Sequence, residues 1–598
     1  MIAREYRDEL RARVERLTAV LNLVLLGIAG AFWVVQIVNG AHYRELAENN
    51  RLRRLPIEAP RGLVEDRNGK VLAENVPSYN LLIDAAQTKD LASALRFAAE
   101  VLGRPAEQML ASLPRIRRTA GYRPALVAEN LSLAQVSRFG VAGREHPEFD
   151  IEVSHQRIYR QGPQTAHVLG YLGEVNESEL AEHPERFAPG DLVGRKGLEG
   201  AYDAALRGRD GERVVVVDSR GKLLSEAGRK NAEPGATLRL TLDLDLQQEA
   251  ARLLEDKVGA VVALNPKDGE ILALVSSPSY DPNLFARRLD LEDWQQLIEA
   301  PYHPLQNRAI QSTYSPGSVF KIVMAAAGLS EGVVSPSDTV VCTGATEFYG
   351  RRFRCWKRGG HGTVDLHEAI KYSCDSYFYR LGQRLGINRM ARYARLFGFG
   401  SATGLDLLGD KAGLVPDEEW SERVRKHPWY AGETISTAIG QGPLLVTPLQ
   451  VARMVAAIAN GGRLITPHLV RDEPLPPPGS LRINPQALSL VRRGLWGVVN
   501  EGDGTARSAR LPRLEIAGKT GTVQVISQET WTDSDTLPFE QRDHAWFASF
   551  APFEDPSLVV VVFLEHGGKG SEAAVPVAKA LYEYHFQSNA TDQPVTSG

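Results

Sequence analysis

The chain has 598 residues, more than one hydrophobic core organises, so a large domain with at least one accessory module is expected. With 43% hydrophobic and 24% charged residues, 54 glycines, 34 prolines and a mean hydropathy of −0.23, the composition excludes a polytopic membrane protein, wholesale disorder and collagen-like repeats. A formal net charge of −4 lacks the basic surplus that nucleic acid requires of a partner, and three cysteines are too few for a disulfide framework.

Residues 17–38 (LTAVLNLVLLGIAGAFWVVQIV) carry no charge over 22 positions, and at about 1.5 Å per residue they reach roughly 33 Å, enough to cross a bilayer. The competing reading is a cleaved signal peptide, whose apolar region is usually shorter and ends in a small-residue cleavage site that AHYRELAENN does not supply. Arginines flank the span on both sides, at Arg4, Arg7, Arg11, Arg13 and Arg16 before it and Arg44, Arg51, Arg53 and Arg54 after it, so charge bias does not orient it. The common arrangement for a single early helix places residues 1–16 as a cytoplasmic tail and everything after the span outside.

Residues 39–232 alternate short apolar runs with turn signals. In GLVEDRNGKVLAEN the Asn68-Gly69 pair reads as a hairpin turn, and LASALRFAAEVLG reads as a helix. Gly194, Gly197 and Gly200 do not match the dinucleotide fingerprint and read as turn glycines. Composition shifts near Asn231, where LRLTLDLDLQQEAARLLED passes from period-two alternation into a helix and opens a second domain, residues 233–586. There Asp243 and Asp245 read as the solvated face of a strand. Hairpins are expected in VGAVVALNPKDGEILALVSSPS, with its turn at Lys267-Asp268-Gly269, and in HAWFASFAPFEDPSLVVVVFLEHG. Between them the chain is helix-rich, as in VTPLQVARMVAAIANGG, with Pro448 early and Gly461 as a stop. The fold class is therefore α+β and multidomain, with one antiparallel sheet assembled from distant segments and flanked by helices. Residues 587–598 are polar and read as a disordered tail.

In YSPGSVFK a helix beginning near Pro316 would stack Ser318 and Lys321 on one face, where a partly desolvated amine can take the serine's proton. Alone, S-x-x-K arises about once by chance in a chain this long. Ser373-Cys374-Asp375 follows 55 positions after Ser318, and Lys519-Thr520-Gly521-Thr522 follows 146 after Ser373. The ordered trio is the S-x-x-K, S-x-N, K-T-G set of penicillin-recognising serine acyl-transferases. With APRGLVEDRNGKVLAEN, GRKGLEGAYDAALRG, NRAIQSTYSPGSVFK and IGQGPLLVTPLQVA, the chain after the span resembles the class B penicillin-binding proteins, and among them the penicillin-binding protein 2 branch of elongation-type D,D-transpeptidases.

That resemblance implies a membrane-anchored, elongated pedestal of the dimerisation type carrying a penicilloyl-serine transferase domain. It implies that Ser318 attacks the penultimate D-Ala carbonyl of a stem peptide, releasing the terminal D-Ala, and that an amine from a neighbouring stem then takes the acyl group. Lys321 would be the base, Ser373 a proton relay, and Lys519 the residue holding Ser373 and the substrate carboxylate. Thr520, Gly521 and Thr522 would bind that carboxylate, and the Ser318 and Thr522 amides would form the oxyanion hole. β-Lactams would acylate Ser318. Asp375 stands where most relatives have Asn, and a carboxylate cannot donate unless protonated, which puts its usual substrate contact in doubt.

Cys342, Cys355, His361 and Cys374 are spaced C-x12-C-x5-H-x12-C and include every cysteine of the chain. Either a structural Cys3His zinc site or a Cys342–Cys355 disulfide with Cys374 free would account for them. The resemblance favours zinc, since some similar proteins hold one with His and Cys at the positions of His361 and Cys374. Arg351, Arg352, Arg354, Lys357 and Arg358 make the same loop basic, as a solvated loop or as a contact for an anionic glycan lipid.

No glycosyltransferase domain is evident, so the resemblance implies a polymerising partner, a SEDS-family protein of the RodA type met through residues 17–38 and the pedestal. The implied substrates are stem peptides and lipid-linked precursor, at the periplasmic face of the inner membrane, in maintenance of cell shape. Alternatives are a division-type transpeptidase, a non-enzymatic scaffold that activates the polymerase, a carboxypeptidase, and a β-lactam sensor or tethered β-lactamase.

Overall fold

The computed structural model describes residues 2–43, 52–85, 88–119, 124–184, 186–187, 190–217, 223–286, 291–526 and 534–591. It divides into two units, Met1–Pro60 with Gly208–Gly235, and Arg61–Arg207 with Ala236–Gly598. The stretch 39–232, expected as one pedestal, is therefore shared between them: Gly211–Val217 turns back to pair antiparallel with Leu52–Ile57, and Leu223–Lys230 adds a third strand. That pairing is non-local and leaves no mark in the order of residues.

In the first unit a helix runs Ile2–Trp33 and ends in a π-helical turn Val34–Val38. The segment expected as a separate tail, residues 1–16, is helical from Ile2 onward. Alternating charges such as Glu9 and Arg13, 3.8 Å apart at i,i+4, support a helix outside the apolar stretch. The apolar face is bare, with Leu17, Leu21, Leu23 and Leu26 all exposed.

In the second unit Val64–Glu65 and Val71–Ile83 form the expected hairpin about Asn68-Gly69, where Asp66 accepts from the Asn68 and Lys70 amides, each at 2.8 Å. Phe149–Tyr159 pairs along Val71–Ile83, and Ala125–Ala128 and Leu238–Arg239 complete this sheet. Leu91–Leu102 is the expected helix, capped by Asp90 and stopped by Gly103. The strand reading of Asp243 and Asp245 is corrected. Asp243 caps the helix Leu244–Leu253, accepting from the Asp245 and Leu246 amides at 3.1 and 3.2 Å, and Asp245 pairs with Lys70 at 2.6 Å. An N-cap aspartate wins here because it satisfies amides that the first helical turn leaves open.

The large sheet has the order Ile271–Ser277, Gly259–Leu264, Leu558–Leu564, His544–Ala551, Ala517–Val523, all antiparallel, including both expected hairpins. Gly259–Leu264, Ile271–Ser277 and Leu558–Leu564 are buried along their whole length. Helices cover both faces, so VVVVFL reads as a continuous apolar run rather than an alternation. Pro448–Ala459 begins at a Thr447–Gln450 capping box, and the last helix, Gly570–Thr591, packs on the same sheet. Residues 587–591 continue that helix where a disordered tail was expected, because a polar segment can extend a helix already nucleated by packing. Residues 592–598 of that tail lie outside the described residues.

Candidate active site

Ser318 lies on a 3-10 turn, Gly317–Phe320, that leads into the helix Lys321–Ser330. Three residues per turn eclipses positions i and i+3, so Ser318 and Lys321 align more closely than in the expected α-helix. Gly317 has φ +53°, and a Cβ there would come within 2.8 Å of Val523 Cγ2 and 3.1 Å of the Thr522 carbonyl oxygen. Across the contact, a Cβ on Gly521 would meet Val319 Cγ2 at 3.1 Å. These two glycines let the Ser318 turn lie directly on Ala517–Val523, the edge strand of the sheet. Ser318 itself is half-buried, while Val319 and Phe320 anchor the turn in the core.

Lys321 is fully buried. Its Nζ donates to the Ser373 carbonyl at 2.9 Å, to Ser373 Oγ at 3.1 Å and to Asp375 Oδ1 at 2.6 Å. Ser373 presents both of its oxygens because it sits at φ +56° between the helices Leu366–Lys371 and Asp375–Leu385, a conformation that costs a non-glycine residue free energy. Asp375 Oδ2 accepts from the Trp356 amide at 2.9 Å. Two donors thus converge on this side chain from opposite sides. A carboxylate accepts both, whereas an amide would face one of them with its own N–H. Asp375 is turned into the protein by these bonds, which accounts for its departure from the S-x-N pattern. Burial pushes its carboxyl up and Lys321 opposes that shift.

Lys519, on the edge strand, is also fully buried. Burial first, and then the Lys321 charge, hold its amine well below the ordinary lysine value. Its Nζ donates to the Thr520 carbonyl at 3.1 Å, and among the described residues no bond joins it to Ser373, the contact the resemblance implied. Thr520 Oγ1 donates to Thr505 Oγ1 at 3.1 Å, and Thr522 Oγ1 accepts from the Gly570 amide at 3.4 Å. Trp356 and Thr505 were missed in the sequence. Only the position of Trp356, directly after Cys355, hinted at it.

Beside this site, one ligand atom from each of Cys342, Cys355, His361 and Cys374 lies within 4.8 Å of the others. His361 Nδ1 is 3.6 Å from Cys342 Sγ and 3.5 Å from Cys355 Sγ, and its ring stacks on Tyr372 at 5.6 Å. The three cysteines are buried free thiols, so the alternative Cys342–Cys355 disulfide is not formed. A hydrogen bond from Cys374, with a further one from His361, holds the Cys355 thiol far below its ordinary value. Three soft sulfurs and one imidazole nitrogen converging on a point fit a tetrahedral zinc ion.

Residues 259–583 match the family model "Penicillin binding protein transpeptidase domain", and residues 56–240 match "Penicillin-binding Protein dimerisation domain". The peptidoglycan D,D-transpeptidase MrdA of Haemophilus influenzae is 36% identical, over 97% of this chain and 93% of its own length. The chain belongs to the penicillin-binding protein 2 family of peptidoglycan D,D-transpeptidases. MrdA of Escherichia coli is 32% identical over 99% of this chain and 97% of its own. Among solved structures, the Helicobacter pylori complex between penicillin-binding protein 2 and MreC superposes with a TM-score of 0.80 at 29% identity, covering 90% of this chain and 99% of that one. A chain from a peptidoglycan synthase complex that coordinates polymerisation and crosslinking gives 0.72 at 33% identity, covering 96% and 98%. As a penicillin-binding protein 2, the protein is a penicillin-sensitive, elongation-type transpeptidase that crosslinks peptidoglycan. Its apolar helix, Tyr6–Val38, suits a single-pass membrane anchor.

Proposed function

We propose that Ser318 is the acylated nucleophile and that Lys321, Ser373 and Lys519 handle its protons. Ser318 Oγ attacks the penultimate D-Ala carbonyl carbon; a C–O bond forms, the peptide C–N bond breaks, and terminal D-Ala leaves with a proton relayed by Ser373. The acceptor amine then attacks the ester carbonyl carbon, a C–N bond forms, the C–O bond to Ser318 breaks, and a proton from the amine passes to Ser318 Oγ. The supporting observation is the junction at Lys321, whose Nζ gathers Ser373 and Asp375 directly behind the Ser318 turn. Lys321 holds the ion pair with Asp375, and the second buried amine, Lys519, is the one held well below the ordinary lysine value, which suits it to accept a proton. The donor stem would add alongside Ala517–Val523, the last strand of the sheet. Thr520, Gly521 and Thr522 would meet its carboxylate.

Intact mass after benzylpenicillin, with peptide mapping, tests this reading. A stable adduct on the Ser318 peptide that disappears in Ser318→Ala supports it, and an adduct elsewhere sinks it.

A structural zinc ion would be held by Cys342, Cys355, His361 and Cys374, fixing the loop beneath Trp356 and Ser373 through closed coordination. The helix would pass from a cytoplasmic N-terminus to a periplasmic catalytic body. It would meet a SEDS-family glycosyltransferase of the RodA type that supplies strands from lipid-linked precursor. The likeness to the synthase complex supports that partnership. Persistent crosslinking in a strain carrying only Ser318→Ala would instead favour the scaffold role.

A further inference from the structure

Two cysteines of the thiol cluster adjoin the residues that hold Lys321. Cys355 is followed by Trp356, whose backbone N–H donates to Asp375 Oδ2 at 2.9 Å. Cys374 stands between Ser373, whose carbonyl and hydroxyl oxygens both accept from Lys321 Nζ, and Asp375, which accepts from the same amine at 2.6 Å. The backbone at Cys374 is fixed on both sides: its N–H donates to the Ala369 carbonyl at 2.9 Å, and its carbonyl accepts from the Phe378 N–H at 3.4 Å. Trp356 is tied a second time, through its indole N–H to the Tyr372 carbonyl at 2.9 Å. A shift of either cysteine therefore passes through one or two peptide units to the partners of Lys321.

Within the cluster, Cys355 and Cys374 are in direct contact, hydrogen-bonded to one another. Cys342 meets His361 and Ser376 instead. The three thiols are buried, while His361 is half-buried, so the cluster is not sealed from small solutes. A thiol alone in a core has no partner for oxidation, whereas each sulfur here has another within 4.8 Å.

We propose that Cys355 and Cys374 are a site of reversible oxidation by peroxides, and that a disulfide between them switches off acylation of Ser318. The inference rests on the transpeptidase reading of Ser318. The two thiols give up two protons and two electrons to one hydrogen peroxide; an S–S bond forms, the peroxide O–O bond breaks, and two waters leave. Bonded sulfurs stand about 2.05 Å apart, closer than hydrogen-bonded thiols. That contraction draws the Cys355 and Cys374 backbones together and takes the Trp356 N–H and the Asp375 carboxylate out of their present alignment. Ser373, held at φ +56° directly before Cys374, shifts with them, so Lys321 loses the geometry of all three of its bonds. Oxidised sulfurs no longer serve as zinc ligands, so oxidation and zinc occupancy exclude one another. A thiol reductant reopens the disulfide by exchange.

The test treats the full-length enzyme in detergent with hydrogen peroxide, quenches with catalase, and follows thiol alkylation with peptide mapping, bound zinc, and the rate of benzylpenicillin acylation. The expected result is one cross-link joining the Cys355 and Cys374 peptides, with Cys342 still open to alkylation and acylation about tenfold slower. Dithiothreitol should restore the rate. Cross-link and loss of rate should advance together, which separates the disulfide from oxidation of methionine. Cys342→Ser should keep the cross-link and its reversal. Zinc-stripped, reduced enzyme should acylate faster than cross-linked enzyme; equal rates would place the effect in metal loss and overturn the switch. So would peroxide treatment that leaves both thiols open to alkylation, a cross-link that includes Cys342, or cross-linked enzyme that acylates at the untreated rate. Absence of a penicillin adduct on Ser318 in untreated enzyme would instead remove the transpeptidase reading, while the peptide map would still decide the oxidation.

Discussion

Lys321 and Asp375 form a buried ion pair, Nζ to Oδ1 at 2.6 Å, with the Trp356 amide bound to the second oxygen of the same carboxylate. Breaking one side of such a pair is far more costly than the pair is worth, because the remaining charge stays buried. The arrangement ties the aspartate of the Ser-Cys-Asp motif to Lys321, the base in the proposed function.

Asp375→Asn, which restores the commoner family residue, should therefore be harmful here. Whichever way the amide turns, its N–H meets either Lys321 Nζ or the Trp356 N–H. Leaving one buried donor unsatisfied costs about 1–3 kcal/mol. Thermal unfolding should show that loss, and the benzylpenicillin acylation rate should fall at least tenfold. An unchanged melting temperature with unchanged acylation would show that the two bonds are not made together.

Lys519→Met should separate stability from function. The amine is fully buried, and both burial and the Lys321 charge disfavour its protonated form. Replacing it with an unbranched apolar chain removes that conflict, and stability should rise by about 0.5–2 kcal/mol while acylation falls more than 100-fold. Denaturant melts and acylation kinetics on one preparation check both halves. A destabilised variant would mean that Lys519 contributes more through its bond to the Thr520 carbonyl than its burial costs.

The candidate residues were legible because their chemistry would be carried by side chains in ordered motifs, and the structure brings Lys321 to Ser373 and Asp375. Trp356 was not, since it acts on Asp375 through a backbone amide that every residue but proline carries. Asp243 misled because the leucine alternation from Leu240 to Leu246 continues through a helix cap and all four leucines are buried. The first unit was hidden for a different reason. Its sheet joins residues as distant in sequence as Leu52 and Val216, 164 positions apart, and short-range patterns do not encode such a register.

Zinc content gives a direct check on the thiol cluster. One zinc per chain is expected by elemental analysis, with no thiol reacting with a disulfide reagent until the protein is unfolded or chelated. Cys355→Ser should lower zinc content to near zero and lower the melting temperature. Three reactive thiols in native, metal-replete protein would rule out the site.

Acid should weaken the fold through two histidines buried in their neutral form. His167 is lowered to about 4 by burial, against backbone hydrogen bonds with Pro278 and Pro304. His544 is lowered to about 4 by burial and then by the neighbouring His566. Between pH 6.5 and 4 the unfolded chain binds protons that these two imidazoles refuse while folded, so stability rises with pH across that window and is lost as pH falls through it. Below about pH 4 both states are protonated and the slope from these groups vanishes. Each histidine contributes about 3 kcal/mol across the window. Denaturant unfolding of the full-length protein from pH 7 to 4 should show the decline, and His167→Gln should flatten it by about half. A stability curve in His167→Gln as steep as that of the unmodified chain would place the acid sensitivity in other groups, the paired carboxylates first among them.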